Sequence, residues 1–287
     1  MSLVLASTEW AFGRNRLLLG QMQDALLEAG VHVHDLFSEP DLNHTWIAYS
    51  GSPESVAEAT LALARLAFEA LDLNRLPSAV PRTGALDRVL LFGDDAEPLD
   101  QALAPLLAYL PGLAADLDGQ GVPLILIEKS SMLPRDAEIA RMQHEGFGSL
   151  LERVVNSDLG PTAAHPRLGI VLLGAGNPRI VMGFAGDRMD VLKGILEAKR
   201  NEGSADLMGA EFESYSRPAS QDALLIATLT MPDIAAPDDA IAAIQHLAAF
   251  HEIRLAAPFL IGAIRQSDAD RSGRLRFRRD QLLSSAT

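Results

Sequence analysis

Arg82 and Thr83 stand in the stretch Val80-Pro81-Arg82-Thr83-Gly84-Ala85-Leu86-Asp87, whose residue types suit the holding of a ligand. Pro81 locks its own φ, has no N–H to donate and pushes Val80 toward an extended backbone. Gly84 permits a turn that a Cβ would resist. The run Arg88-Val89-Leu90-Leu91-Phe92 that follows has the length and composition of a buried strand. Arg82 and Thr83 are therefore expected on a stiff loop at the mouth of that strand, where a scaffold presents binding groups. The competing reading is a plain loop-to-strand junction with Arg82 in solvent.

Other constellations carry less chemistry. His32 and His34 fall on one face of a strand spanning Val31 to Phe37, a spacing that suits a shared metal, but no third ligand accompanies them, and an exposed strand face competes. Asp268-Ala269-Asp270-Arg271-Ser272-Gly273 matches the first half of a calcium loop, yet Arg279 stands where a bidentate carboxylate is needed. The pair Gly174 and Gly176 lacks the third glycine of a dinucleotide loop and leads into a strand rather than a helix. No metal site is expected.

The elements that must position these residues alternate along the chain. A helix is expected from Arg14 to Ala29 on the stripe Leu18, Met22 and Leu26, ended by Gly30. Asn43-His44-Thr45 opens a strand through Ser50, and Ser52-Pro53-Glu54 starts a helix with an N-cap, a proline and a carboxylate in order. Leu99, Leu103, Leu106, Leu110 and Leu117 repeat at helical spacing, with Pro105 and Pro111 expected to kink or split that helix. Leu124 to Ile127 reads as a buried strand and Asp136 to His144 as a short helix. Asp158 to Pro166 has the composition of a connection, and Leu168 to Leu173 with Ile180 to Phe184 reads as a strand pair. Leu224 to Met231, Asp238 to His251 and Arg254 to Ile261 read as a β-α-β unit. Arg274 to Arg278 alternates like a charge-protected edge strand.

Bulk composition narrows the partners. The 287 residues are 48% hydrophobic and 22% charged, enough for one large or two modest cores. A net charge of −14 argues against a nucleic-acid partner. An anionic ligand would need local arginines, and of 24 Lys and Arg only Lys129, Lys193 and Lys199 are lysine. The absence of cysteine excludes disulfides, thiolate metal sites and a Cys nucleophile. Without a membrane-length apolar run or a basic-then-apolar leader, no membrane association and a cytoplasmic location are expected.

Several ordered pieces of the chain resemble the glutamate formiminotransferase family. Pro81-Arg82-Thr83-Gly84-Ala85-Leu86-Asp87 is similar to its His-Pro-Arg-Met-Gly-Ala-Leu-Asp. Gly13-Arg14-Asn15 resembles its Ser-Glu-Gly-Arg-Asn, and Asn43-His44-Thr45 its Asn-Arg-Thr. Ser50-Gly51-Ser52-Pro53-Glu54-Ser55-Val56 resembles Val-Gly-Pro-Pro-Glu-Ala-Val, and Asp158-Leu159-Gly160-Pro161 resembles Asp-Phe-Gly-Pro. The likeness runs from about Gly13 to Phe184. The family's catalytic His falls on Val80, and the Arg of Asn-Arg-Thr falls on His44.

The resemblance implies an α+β fold of two α/β-sandwich subdomains, ferredoxin-like mixed sheets covered by helices, with a ligand cleft between them. It divides the chain into an N-terminal subdomain over 1–165 and a C-terminal one over 166–287. It implies tetrahydrofolate as co-substrate of formimino transfer from N-formimino-L-glutamate, and a homodimer. Asn43, Thr45, Arg82, Thr83, Gly84, Arg167 and Arg179 become the expected folate or anion ligands. With Val80 unable to move protons, an activity that is weak, altered or lost is expected, since a general acid–base contributes about a hundred- to ten-thousand-fold. His44 and His165 are the candidate replacements; His165 lies in His165-Pro166-Arg167-Leu168-Gly169, an echo of the stretch around Arg82. The alternative is a non-catalytic dimeric binding or interaction protein that keeps only the scaffold.

Overall fold

A computed structural model describes residues 3–76, 82–93, 96–133, 135–176, 179–216, 222–230 and 237–260. Val80 and Pro81 lie outside the described residues, as do Asp268 to Gly273 and Arg274 to Arg278. The chain divides between Asn177 and Pro178 into two units.

The first unit holds strands β1 (Val4–Trp10), β2 (His32–Glu39), β3 (His44–Gly51), β4 (Leu86–Phe92), β5 (Leu124–Leu126) and β6 (Val171–Ala175). They form one sheet in the order β2-β3-β1-β4-β6-β5. Pairing is antiparallel from β2 to β4 and parallel from β4 through β6 to β5. The helices are α1 (Arg16–Glu28), α2 (Pro53–Ala70), α3 (Ala96–Leu113), α4 (Ala115–Asp118) and α5 (Asp136–Leu150). The stripes Leu18, Met22, Leu26 of α1 and Val56, Ala59, Leu63, Ala67 of α2 share a core with Ala6, Trp10, Ile47, Tyr49, Val89, Leu91 and Leu173 of the sheet. Strand residues that alternate with these occupy the other face. Across it, Phe37 of β2, Trp46 of β3, Glu9 of β1 and Arg88 of β4 stand in one register row.

The second unit holds β7 (Arg179–Gly186), β8 (Ala210–Ser216), β9 (Ala223–Thr230) and β10 (Phe259–Leu260), with α6 (Met189–Asn201) and α7 (Pro237–Phe250). Its sheet, ordered β10-β7-β9-β8, is antiparallel throughout. Ile180, Met182, Phe184, Leu225, Ala227 and Leu229 pack with Leu192, Leu196, Ile241 and Ile244 of the two helices. The architecture is the expected α+β arrangement of sheets covered by helices.

Local rules place most element starts. Asn15 caps α1 by accepting from Leu18 N at 3.0 Å, and Ser52 caps α2 from Ser55 N at 3.2 Å ahead of Pro53. Helix α3 carries Pro105 and Pro111 inside it and ends at Leu113, and α4 begins at Ala115, so the helical run expected through Leu117 is split just after Pro111. Leu99, Ala102, Leu106, Leu110 and Leu113 bury its inner face against the unit-1 core, which helps offset the roughly 3 kcal/mol that each internal proline costs. One expectation needs correction. The Leu168–Leu173 and Ile180–Phe184 runs do not pair: β6 is inserted between β4 and β5, whereas β7 belongs to the other sheet. Asp158 to Pro166 folds back on β5. Asp158 accepts from Leu126 N and from the Arg135 guanidinium, both at 2.7 Å, and Leu124 N donates to Leu159 O at 2.9 Å.

The segments leading into β4 and β6 cross at two glycines. Gly84 and Gly169 form an antiparallel bridge, with Ala85 N donating to Leu168 O at 2.9 Å and Ile170 N to Thr83 O at 3.0 Å. A Cβ on Gly84 would lie 1.9 Å from Ile170 O, and one on Gly169, at φ +74°, 2.0 Å from Thr83 O. Gly84→Ala is therefore expected to lower the urea midpoint, with a loss on the order of 3 kcal/mol. Gly112→Ala, on a helix with nothing within 4 Å of the added Cβ, should be neutral or gain about 0.5–1 kcal/mol. Equal effects of the two substitutions in urea titrations would refute the packing argument.

Candidate functional site

Three loops at one end of the first sheet are tied together by side chains that bond backbone rather than one another. The first, Ala11 to Asn15, leaves β1; the second, Leu42 to His44, enters β3; the third, Arg82 to Ala85, enters β4. Asn43 sits at φ +51°, a conformation Asn tolerates better than most residues. Its Oδ1 accepts from Gly13 N at 2.8 Å and Arg14 N at 3.2 Å. The Thr45 hydroxyl donates to Phe12 O. Gly13 has no room for a side chain, since a Cβ would lie 2.2 Å from Glu39 O and 2.7 Å from His44 N.

Arg82 closes the arrangement. Its Nη1 donates to Ala11 O at 2.8 Å and its Nη2 to Leu42 O at 3.2 Å, and the residue is 4% exposed. Burial draws the guanidinium down to about 10, opposed by Asp87 and reinforced by Arg14, so it stays charged at neutral pH. Thr83 is fully buried, and Asp87 gathers its loop by accepting from Thr83 N at 2.8 Å, Gly84 N at 3.0 Å and the Thr83 hydroxyl. The motif residues Asn43, Thr45, Arg82, Thr83, Gly84 and Asp87 are thus brought together, with most of their polar atoms committed to holding loop shapes.

His44 is set differently. It is 4% exposed, and its ring lies 4.2 Å from the Trp46 ring at 39°. Neither ring nitrogen has a hydrogen-bond partner, and Arg82 Nε is likewise buried without one. A buried unsatisfied nitrogen costs about 1–3 kcal/mol. Glu9 Oε2 lies 3.9 Å from His44 Nε2, and Glu9 Oε1 lies 3.7 Å from Arg88 Nη1. Burial, then Arg82 and Arg88, push the His44 imidazole down to about 3, so the ring is neutral at physiological pH. It can donate from one nitrogen and accept at the other, and it is a poor proton acceptor.

The remaining expected residues lie elsewhere. His165 Nδ1 accepts from Arg167 N at 3.2 Å and Leu168 N at 3.1 Å, which puts the ring proton on Nε2 and shapes the turn that delivers Gly169 to Gly84. Arg167 Nη1 donates to Leu71 O at 2.7 Å, just past α2, and Leu73 N donates to Arg167 O at 2.9 Å. Arg179 begins β7 in the other unit. His32 and His34 meet edge to face at 4.7 Å, and a register shift between Val33 and Asp35 interrupts their strand's alternation. Among the described residues, no three His, Asp or Glu are grouped to hold a metal, and no helix is long and apolar enough to cross a membrane. Sequence reading passed over Glu9 and Arg88. They join the site only through cross-strand register with Trp46, which no local motif encodes.

Residues 3–176 match the model of the formiminotransferase domain, N-terminal subdomain. The chain is 27% identical over 168 residues to formimidoyltransferase-cyclodeaminase of Sus scrofa, covering 57% of this chain and 30% of that protein. It is 24% identical over 199 residues to glutamate formimidoyltransferase of Streptococcus pyogenes serotype M1, covering 67% and 65%. The chain thus spans under a third of the first relative's length and just under two thirds of the second's. Among solved structures, an unknown protein from Galdieria sulphuraria aligns over 92% of this chain at 8% identity with a TM-score of 0.27.

Two expectations follow from the geometry. Arg82→Ala strands the carbonyls of Ala11 and Leu42 and should cost about 3 kcal/mol in urea unfolding, whereas Arg88→Ala should cost under about 1 kcal/mol. Similar losses would show that Arg82 does not tie the loops. For His44, the unfolded ring titrates near the ordinary 6.5 and the folded ring near 3. Between those values the unfolded chain binds the extra proton, so this contribution is complete above pH 6.5 and shrinks as pH falls toward 3, by up to about 1.4 kcal/mol per pH unit. His44→Gln should flatten that part of the stability profile; an unchanged slope would contradict a buried neutral ring.

Proposed function

The chain belongs to the formiminotransferase family, and from that premise we propose that it is a formiminotransferase-like protein that binds a reduced folate at the loops around Arg82. The observation that carries the reading is the match over residues 3–176. The cross-linked set Asn43, Thr45, Arg82, Thr83 and Gly84 supports it, because these residues hold one arrangement of three loops at one end of the first sheet. Tetrahydrofolate is the co-substrate the family implies. Arg167 and Arg179 are proposed anion contacts, and the assembly is proposed to be a homodimer acting in the cytoplasm.

Catalysis in this reading is weak, altered or lost. Val80 offers no proton carrier where the family has histidine, and His44, held near 3, is largely unable to take a proton at neutral pH. His165 commits Nδ1 to two backbone N–H groups. The proposed parts for the two histidines are accordingly to orient rather than to shuttle: His44 toward the ligand, His165 toward the loop crossing. The second reading, a non-catalytic binding protein on the same scaffold, is favoured by that same lack of a proton carrier.

Calorimetric titration with 5-formyltetrahydrofolate is expected to show saturable binding at micromolar concentration. No heat and no thermal shift would defeat folate recognition. Val80→His, assayed with tetrahydrofolate and N-formimino-L-glutamate, is expected to raise transfer by at least about a hundredfold if the remaining site is intact. An inactive but folate-binding variant would favour the scaffold reading.

A further inference from the structure

Strand β8 ends the second sheet, bonded to β9 and, among the described residues, to no other strand. Its register with β9 runs unbroken over seven residues. It holds no proline, lysine or bulge, the devices that commonly blunt an edge. An edge of this kind is a template for one more strand, which would meet its outward backbone groups.

The two faces of β8 set what that strand must be. Ala210 and Phe212 are buried in the unit-2 core with Leu192 and Leu196 of α6. Glu211 and Glu213, on the opposite face, are exposed. Tyr215 shares their face and donates its hydroxyl to Glu213. A fitting strand therefore needs cations on one face and apolar side chains on the other, alternating at period two. The same edge of a second copy would set carboxylates against carboxylates, which destabilises a pair.

The chain carries a sequence of the required kind. Arg274-Leu275-Arg276-Phe277-Arg278 alternates basic and apolar residues, and five of the nine residues 271–279 are arginine with no acid among them, in a chain of net charge −14. Matched antiparallel to β8, Arg278 falls opposite Glu211 and Arg276 opposite Glu213. Arg274 then falls opposite Tyr215, whose ring suits a guanidinium. In the same register Phe277 and Leu275 fall opposite Phe212 and Ser214, toward the core. The chain is long enough to reach. Leu260 of β10, at the far edge, stands in the register row of Met182, Ala227 and Phe212. A strand beyond β8 lies four spacings away, about 19 Å, and the position beside Tyr215 lies about 10 Å further along. The fourteen residues from Leu260 to Arg274 span up to about 46 Å.

We propose that the outer edge of β8 is the docking site of the chain's own basic segment, residues 274–278, received antiparallel with its arginines against Glu211, Glu213 and Tyr215. The inference is independent of the folate reading. It gives the arginine-rich segment an acidic partner within the same unit and closes an edge otherwise open to foreign strands.

Because the chain has no cysteine, introduced cysteine pairs report the register directly. Opposite residues of an antiparallel pair have Cα atoms about 4.5–5.5 Å apart, within the span of a disulfide. In the full chain, Glu211→Cys/Arg278→Cys under oxidised glutathione is expected to close an intramolecular disulfide at least about tenfold faster than Glu211→Cys/Arg274→Cys. The second pair encloses a loop of similar length but is displaced by about 13 Å in this register. Adding Arg276→Glu to the fast pair should remove its advantage, and adding Glu213→Arg as well should restore it. A thermal melt of the reduced proteins confirms that each variant is folded. Equal rates for the two pairs overturn the proposal. So does faster closure of Glu211→Cys/Arg274→Cys, which would mean a parallel arrangement. A disulfide found only between two chains on a non-reducing gel also overturns it and hands the edge to a second copy.

Discussion

A buried guanidinium spanning two main-chain carbonyls organises this protein's first unit. Arg82 bonds Ala11 and Leu42, residues 71 and 40 positions away in sequence, and so joins the exits and entrances of three strands. A buried charge is tolerable because those bonds, and Asp87 nearby, replace much of its lost hydration. Asn43 and Thr45 complete the same job with neutral groups. An arginine that looks, in sequence, like a ligand-seeking loop residue spends a donor of each terminal nitrogen on the backbone and is buried before any ligand arrives. What it holds in place is a small charged cluster: Glu9, His44 and Arg88.

That cluster has an electrostatic logic of its own. Burial and two arginines keep His44 neutral, so the charged neighbour of Glu9 in this row is Arg88 and not an imidazolium. A protonated His44 would add a third cation beside Arg82 and Arg88, against the carboxylates of Glu9 and Asp87. His44, a ring held near 3, is a poor proton acceptor at neutral pH.

The legible parts of the fold were those governed by local chemistry. Asn15 and Ser52 cap their helices as short polar side chains do, and the α1 and α2 stripes face the core. What could not be read locally was pairing. Nothing in Gly174-Ala175-Gly176 shows that β6 slots between β4 and β5 while β7 leaves for another sheet, since both are short apolar runs with equal claims to each other. Pro105 and Pro111 were legible in part: the helical run breaks at Ala114, three residues after Pro111, while burial against the unit-1 core carries the helix past Pro105. In the site, Arg82, Thr83 and Asn43 were visible as motif residues, but whether they face a ligand or the backbone depends on neighbours brought in from distant segments. Glu9 and Arg88 were invisible for the same reason.

The crossing of Gly84 and Gly169 bears on how the chain acquires its shape during synthesis. The lead-in to β4 cannot settle until the turn shaped by His165 exists, and that turn is made about 85 residues later. At roughly 5–20 residues per second, the ribosome takes about 4–17 s to supply it. Through that interval β1, β3 and the α1 and α2 stripes can already associate, yet β4 stays an unclosed edge with Val89 and Leu91 uncovered on one flank. The nascent first unit is in this respect an open sheet awaiting its sixth strand, and the delay is written into the spacing of two residues that have no side chains.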